Sequence, residues 1–173
     1  VVERPASIVK EMVENAVDAG AASVTVEIRG GGLSYIRIQD DGCGILREDI
    51  PKAFIRHATS KVYTAEDLTG IHTLGFRGEA LASVAAMCRV ELTTKTPDED
   101  EGTTYKIEGG EMTESYPAGC PSGTTIVVRD VLFNTPARMK FLKKDVSEGN
   151  AVAQVVEKCA LSHPEIAFRF IRD

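Results

Sequence analysis

The sequence lacks the marks of several large protein classes. No hydrophobic run approaches the roughly 20 residues of a membrane span, and no stretch reads as a signal peptide. No cysteine pair stands at metal-ligand spacing. Cys43, Cys88, Cys120 and Cys159 are scattered, which reads as reduced thiols in a cytoplasmic protein. Positive charge is in deficit: 20 Lys and Arg against 26 Asp and Glu leave a formal charge of −6. That excludes a strong standing field for nucleic acid but leaves room for a local basic patch. No GxxxxGK[ST] loop occurs, and no strand leads into GxGxxG with an acid beyond it, so neither a P-loop nor a dinucleotide fingerprint is present. Internal repeats, low-complexity tracts and composition breaks are missing too, so one domain over residues 1–173 is expected. What remains is 43% hydrophobic content in 173 residues, enough for one sizeable core. Beginning without Met and ending in the strand pattern FRFIRD, the chain reads as an excised domain.

The stretch Pro5 to Gly20 organises the rest. At about 3.6 residues per turn, Ile8, Val9, Met12, Val13, Ala16 and Val17 form a broad apolar arc. Glu11, Asn15 and Asp18, at i, i+4 and i+7, run as a polar stripe along one border of that arc, where a buried face meets either solvent or a cleft. Pro5 suits a first helical turn and Gly20 the position just past a helix end.

Alternation then predicts strands over Ser23–Arg29 and Ser34–Gln39, joined by a triglycine turn. Asp40 follows Ile36 and Ile38 at the same parity, so its carboxylate points to the core side, a costly place unless it is hydrogen-bonded. The following DGCGI carries two glycines that let the backbone bend and a flat ligand approach; a tight turn alone would use the same pattern. A short helix is expected over Arg47–Ile55. A long, weakly anchored connection, His57–Thr73, leads into LGFRGEAL, whose glycines open a helix running to Met87 and offer free N–H groups suited to phosphate. Beyond Cys88 the pattern predicts strands at Arg89–Thr96, Thr103–Glu108, Glu111–Tyr116 and Thr124–Asp130, with Asp98–Glu101 as a solvated hairpin tip. Helices follow at Asn134–Leu142 and Ser147–Ser162, then a strand at Glu165–Ile171. Helices at both ends around consecutive hairpins give an α+β class: a two-layer α/β sandwich, its mixed, mostly antiparallel sheet covered by helices on one face.

Three segments thus supply what a nucleoside triphosphate needs: a carboxylate and a carbonyl oxygen one helical turn apart, a core-side acceptor for a base, and backbone donors for phosphates. The motifs VERPASIVKEMVENAVDAGA, DDGCGI, HATSK, LGFRGEALAS, SGTT and NTPARMKFL resemble, over essentially the whole chain, the N-terminal ATPase domain of the MutL family of DNA mismatch-repair proteins. That family belongs to the GHKL superfamily, with type II topoisomerase ATPase subunits, histidine kinases and a large heat-shock chaperone. ExxxN and DxGxG are common to the superfamily, whereas GFRGEAL and NTPARxKFL point to MutL-type proteins and away from a topoisomerase subunit.

The resemblance implies roles residue by residue. Glu11 would be the general base for hydrolysis, and Asn15 would coordinate Mg2+ against the ATP phosphates, with Asp18 near the nucleotide. Asp40 would accept the adenine amino group over a pocket floor shaped by Gly42 and Gly44. Thr59, Ser60 and Lys61 would belong to an ATP lid, and Gly75, Phe76, Arg77, Gly78, Ala80 and Leu81 would wrap the phosphates. Thr124, favoured over Thr125 by parity, would close the adenine end. ATP binding would order the lid and drive self-association of the N-terminal region. The parent protein would work with DNA, mismatch-recognition and other repair proteins, in the cytoplasm and without a membrane. The resemblance also implies a dimerisation arm before this sequence and a lysine-supplying domain after it, so weak binding and very slow turnover are expected of these 173 residues alone. Asp41 stands where the family often has Asn, which reads as a surface change, and Leu132-Phe133 replaces a common aromatic pair. The alternative is a non-enzymatic scaffold with a degenerate nucleotide pocket, binding DNA or repair partners through Arg138, Lys140, Lys143 and Lys144.

Overall fold

The computed structural model describes residues 4–55 and 80–173. Helix α1 (Pro5–Asp18) starts with Pro at its first turn, where a missing N–H is not needed. Ser7 closes that end, its hydroxyl donating to the Arg4 carbonyl at 2.7 Å. The other end is closed by the Gly20 N–H on the Val17 carbonyl (3.0 Å) and the Ala21 N–H on the Ala16 carbonyl (3.2 Å). Ile8, Val9, Met12, Val13 and Ala16 are buried. Each such large side chain contributes about 1.5–3 kcal/mol relative to exposure, so α1 is held by its arc rather than by propensity.

Strands β1 (Ser23–Arg29) and β2 (Tyr35–Asp40) form the expected antiparallel pair, with Val26 opposite Ile38. After a 3-10 turn at Arg47–Asp49 comes α2 (Ile50–Ala53). The single helix expected over Arg47–Ile55 is therefore broken in two: Pro51 has no N–H to bond back to residue 47. Helix α3 (Ala80–Met87) leads into β3 (Arg89–Lys95), β4 (Gly102–Glu108), β5 (Glu111–Ala118) and β6 (Gly123–Arg129). Next come α4 (Pro136–Met139), α5 (Asp145–Ser162) and β7 (Ala167–Arg172). The helix expected over Asn134–Leu142 shrinks to the four residues of α4. Residues 136–141 are exposed, so no buried face supports a longer one. The acidic tip after β3 is not wholly solvated either: Glu99 accepts the Thr96 N–H at 3.0 Å and the Arg47 N–H at 3.2 Å.

The sheet runs β5-β4-β3-β6-β2-β1-β7. All pairings are antiparallel except β1 with β7, which α5 makes parallel by carrying the chain back along the sheet. Alternate residues of β1 and β3 face α1, α3 and α5; the other face carries polar pairs such as Arg37–Glu27 at 2.9 Å. This is the two-layer, mostly antiparallel sandwich that the patterning predicts. Among the described residues, no helix is long and apolar enough to cross a membrane.

Candidate nucleotide site

The site forms where α1 passes over one end of the central strands. There β2 ends at Asp40, β6 begins near Thr124 and β3 reaches Thr94 one residue before its end, and the three residues lie side by side in register. A small hollow, about 20 Å3 in volume, is lined by Met12, Asn15, Asp40, Gly44, Leu81 and Thr124, with apolar walls from Ala19, Ile38, Ile45 and Ile126. Five residues nominated from sequence (Asn15, Asp40, Gly44, Leu81 and Thr124) thus meet in one cavity, contributed by α1, β2, the glycine loop, α3 and β6.

Asp40 is held by the Gly42 N–H, which donates to Oδ1 at 2.8 Å, the turn an Asp makes two residues ahead of itself. Burial pushes its carboxyl up to about 6, the nearby Asp41 charge adding to the rise and the Gly42 N–H opposing it. A group able to donate to this carboxylate inside the hollow would relieve that cost. Gly44 sits at φ 71°, and a Cβ there would overlap the Lys95 carbonyl, so the loop crosses the end of β3 on bare backbone. Gly42 is buried behind Asp40, against Ala19, rather than on the floor itself.

Asn15 is 8% exposed, and neither its Oδ1 nor its Nδ2 has a hydrogen-bond partner among the described residues. A buried amide left unpaired costs about 1–3 kcal/mol, a cost that a partner from beyond the described residues would remove. Glu11 lies one turn earlier on α1, half-buried and outside the hollow's lining. Asp18 is exposed at the end of α1, and Ala80 is half-buried beside Leu81. Thr59, Ser60, Lys61, Gly75, Phe76, Arg77 and Gly78 fall outside the described residues.

Two residues matter here that sequence reasoning undervalued. Asp41 is not a bland surface residue: its Oδ1 accepts the Ala22 and Ser23 N–H groups at 2.8 and 2.9 Å, and its Oδ2 accepts the Ser23 hydroxyl at 3.0 Å. Those donors, Ser23 foremost, hold its carboxyl below the usual range and tie the glycine loop to the α1–β1 connection. Thr94 is 1% exposed, and its hydroxyl meets the Ile45 N–H, the Gly123 carbonyl and the Thr124 hydroxyl. The signal was available: Val90, Leu92 and Thr94 share a parity, which puts a hydroxyl among core positions.

Among the described residues, no group of three or more His, Cys, Asp or Glu side chains is placed to hold a metal. A Mg2+ ion, which takes oxygen ligands, would find a side-chain oxygen here without a carboxylate cluster. The residue that would offer it is Asn15, whose carbonyl oxygen lacks a partner among the described residues.

Residues 3–118 match the family model described as histidine kinase-, DNA gyrase B-, and HSP90-like ATPase. The whole chain is 56% identical to part of a DNA mismatch repair protein MutL from Agathobacter rectalis and 53% identical to part of one from Geobacter sulfurreducens. It spans 27% and 28% of the lengths of those relatives. Among solved structures, the Aquifex aeolicus MutL ATPase domain complexed with ADP superposes with a TM-score of 0.79 at 33% identity, over 99% of this chain and 61% of that one. The N-terminal domain of a DNA repair protein superposes with a TM-score of 0.82 at 26% identity, over 99% of this chain and 49% of that one.

Proposed function

Because the chain belongs to the histidine kinase-, DNA gyrase B-, and HSP90-like ATPase family, we propose that it is the ATP-binding and hydrolysing domain of a MutL-type mismatch-repair protein. The observation that carries this reading is the shared hollow: a half-buried carboxylate and a buried amide, unpaired among the described residues, face one space from different elements. Asp40 receives the adenine amino group, and the apolar walls from Met12, Ile38, Ile45 and Ile126 sandwich a flat base. Thr124 closes the same end, and Leu81 places the start of α3 beside the nucleotide. Asn15 holds Mg2+, which when bound neutralises phosphate charge. Glu11, one turn along α1, orients and deprotonates the attacking water. Thr59, Ser60 and Lys61 belong to a lid, and Gly75 to Gly78 cradle the phosphates. Nucleotide-driven ordering of that lid promotes self-association of the N-terminal region, and the parent protein couples this to mismatch-recognition and other repair partners.

Calorimetry with ADP, with and without Mg2+, tests the site. The wild-type protein binds ADP more tightly with Mg2+ present, and Asn15→Ala removes that difference. An Asn15→Ala variant with the full Mg2+ effect would take Asn15 out of the metal site.

A second reading, binding of DNA, is favoured by the stretch 138–144. Arg138, Lys140, Lys143 and Lys144 are all exposed beside the exposed Phe141, in a chain whose net charge is negative. None of the three lysines has an ion-pair partner among the described residues. DNA affinity that falls steeply with salt, and falls further on changing these lysines to Glu, supports it; affinity unchanged by those substitutions removes it.

A further inference from the structure

A row of polar residues crosses the sheet beneath the hollow. In register, Asp40 of β2 faces Thr124 of β6, Thr124 faces Thr94 of β3, and Thr94 faces Thr103 of β4. Thr94 is the best buried of the four and the best connected. Its Oγ1 lies 2.9 Å from the Ile45 nitrogen, 3.0 Å from the Gly123 carbonyl oxygen and 2.8 Å from the Thr124 hydroxyl.

A threonine hydroxyl has one proton and two lone pairs. Two of these three contacts have a fixed direction: the Ile45 N–H can only donate, and the Gly123 carbonyl can only accept. Thr94 therefore spends its proton on Gly123. All three contacts are satisfied only if the Thr124 hydroxyl donates to Thr94. Thr124 then has no proton left for the hollow and turns lone pairs toward it, beside the carboxylate of Asp40. The base edge at this end meets two acceptors, which suits an amino group and repels a carbonyl. The Ile45 bond meanwhile pins the far side of the glycine loop that carries Gly42 and Gly44.

We infer that Thr94 is a positioning residue for base recognition: it fixes the Thr124 hydroxyl as an acceptor and locks the glycine loop onto the sheet, so that the pocket selects a base with an exocyclic amine. The inference rests on the adenine-nucleotide reading and adds a residue that touches no nucleotide. It separates binding from chemistry, because Glu11 stands on α1 and makes none of these contacts.

The test uses the full-length protein with the near-isosteric Thr94→Val and the hydroxyl-retaining Thr94→Ser. Thr94→Val raises KM for Mg-ATP roughly tenfold, the size of one or two lost buried hydrogen bonds, with kcat within about twofold. Its preference for ATP over inosine triphosphate, which has a carbonyl in place of the amine, narrows because Thr124 is free to turn and donate. Thr94→Ser restores both values. A folded Thr94→Val with wild-type KM, or with raised KM but an unchanged preference, overturns the inference, the latter leaving Thr94 a purely structural role. Failure of the wild-type protein to bind ATP overturns instead the reading beneath it. Should the valine variant not fold, hydrogen exchange of the Ile45 amide decides: protection that rises with ADP supports the lock, and exchange at the rate of an open loop overturns it.

Discussion

The two ends of the central strands invite comparison, because both carry glycine turns, a hollow and aspartates, yet only one resembles a binding site. The end opposite the candidate site has the larger groove, about 740 Å3 against about 20 Å3, lined by Leu33, Val131, Phe133, Met139 and Leu142 among others. Several polar groups around it are spent on partners within the fold. Arg89 reaches Asp130 at 2.9 Å and lies over the Phe133 ring at 4.1 Å, the Ser34 hydroxyl donates to the Arg29 carbonyl, and Asn134 donates to the Ala86 carbonyl at the end of α3. Gly31, at φ 67°, is bare so that the Asp145 backbone can close against it. Glu148, which has one unpaired oxygen, lies buried on α5 and does not line the groove. At the nucleotide end the reverse holds, with a small space facing an amide that has no partner among the described residues and a carboxylate held at a cost. Unmet polar demand, rather than volume, distinguishes a place that waits for a ligand.

That contrast predicts a graded set of effects. The largest belongs to chemistry: Glu11→Ala should lower ATP turnover in the full-length protein by roughly two to four powers of ten, the usual scale for a general base, while nucleotide affinity stays. Turnover near wild type would strip Glu11 of its role. Next, Asp40→Asn should weaken ADP binding by about 1.5–3 kcal/mol, the range for a hydrogen bond to a charged group. Its counterpart at the other end, Asp130→Asn, should leave ADP affinity unchanged and cost at most about 1 kcal/mol of stability, since it breaks a half-exposed ion pair. Equal effects of the two substitutions in calorimetry would erase the distinction between the ends.

The pH dependence is subtler and has a definite sign. Burial lifts the Asp40 carboxyl to about 6 in the fold, against an ordinary 3.8. The native state therefore holds this proton more tightly than the unfolded chain, and stability falls as pH rises from about 3.8 to about 6. Above that window the full penalty stands, about 3 kcal/mol. Asp40→Asn should accordingly raise the melting temperature at pH 8 and leave it nearly unchanged at pH 3.5. Nucleotide affinity runs the other way, weakening as pH drops through 6 and the acceptor gains its proton. An ADP affinity flat from pH 8 to pH 5 would show that Asp40 does not receive the amino group.

Much of this was legible in the residues. Strand parity put Asp40 on the core side and chose Thr124 over Thr125; in register, Thr124 pairs with Asp40 while Thr125 pairs with Gln39. Helical spacing marked Asn15 as a border residue, and its stripe runs from half-buried Glu11 through buried Asn15 to exposed Asp18. What escaped depended on contacts between distant segments. Asp41 reads as a surface residue until Ala22 and Ser23 fold back onto it, and no local pattern encodes that meeting. Thr94 is ordinary in a strand until the glycine loop, some fifty positions earlier, brings the Ile45 N–H to its hydroxyl. The helix over Asn134–Leu142 was overextended because its apolar residues, Met139 and Phe141, find no core to enter.

The unpartnered amide of Asn15 has one more consequence. An engineer optimising this domain for heat resistance alone would replace that residue early, since a leucine of similar bulk would seal the crevice and remove an unpaired dipole. If Asn15 has the role proposed for it, that protein would melt later and lose its Mg2+-dependent hold on nucleotide. Tolerance of a small, permanent weakness on the first helix would then be what lets the domain respond to its ligand.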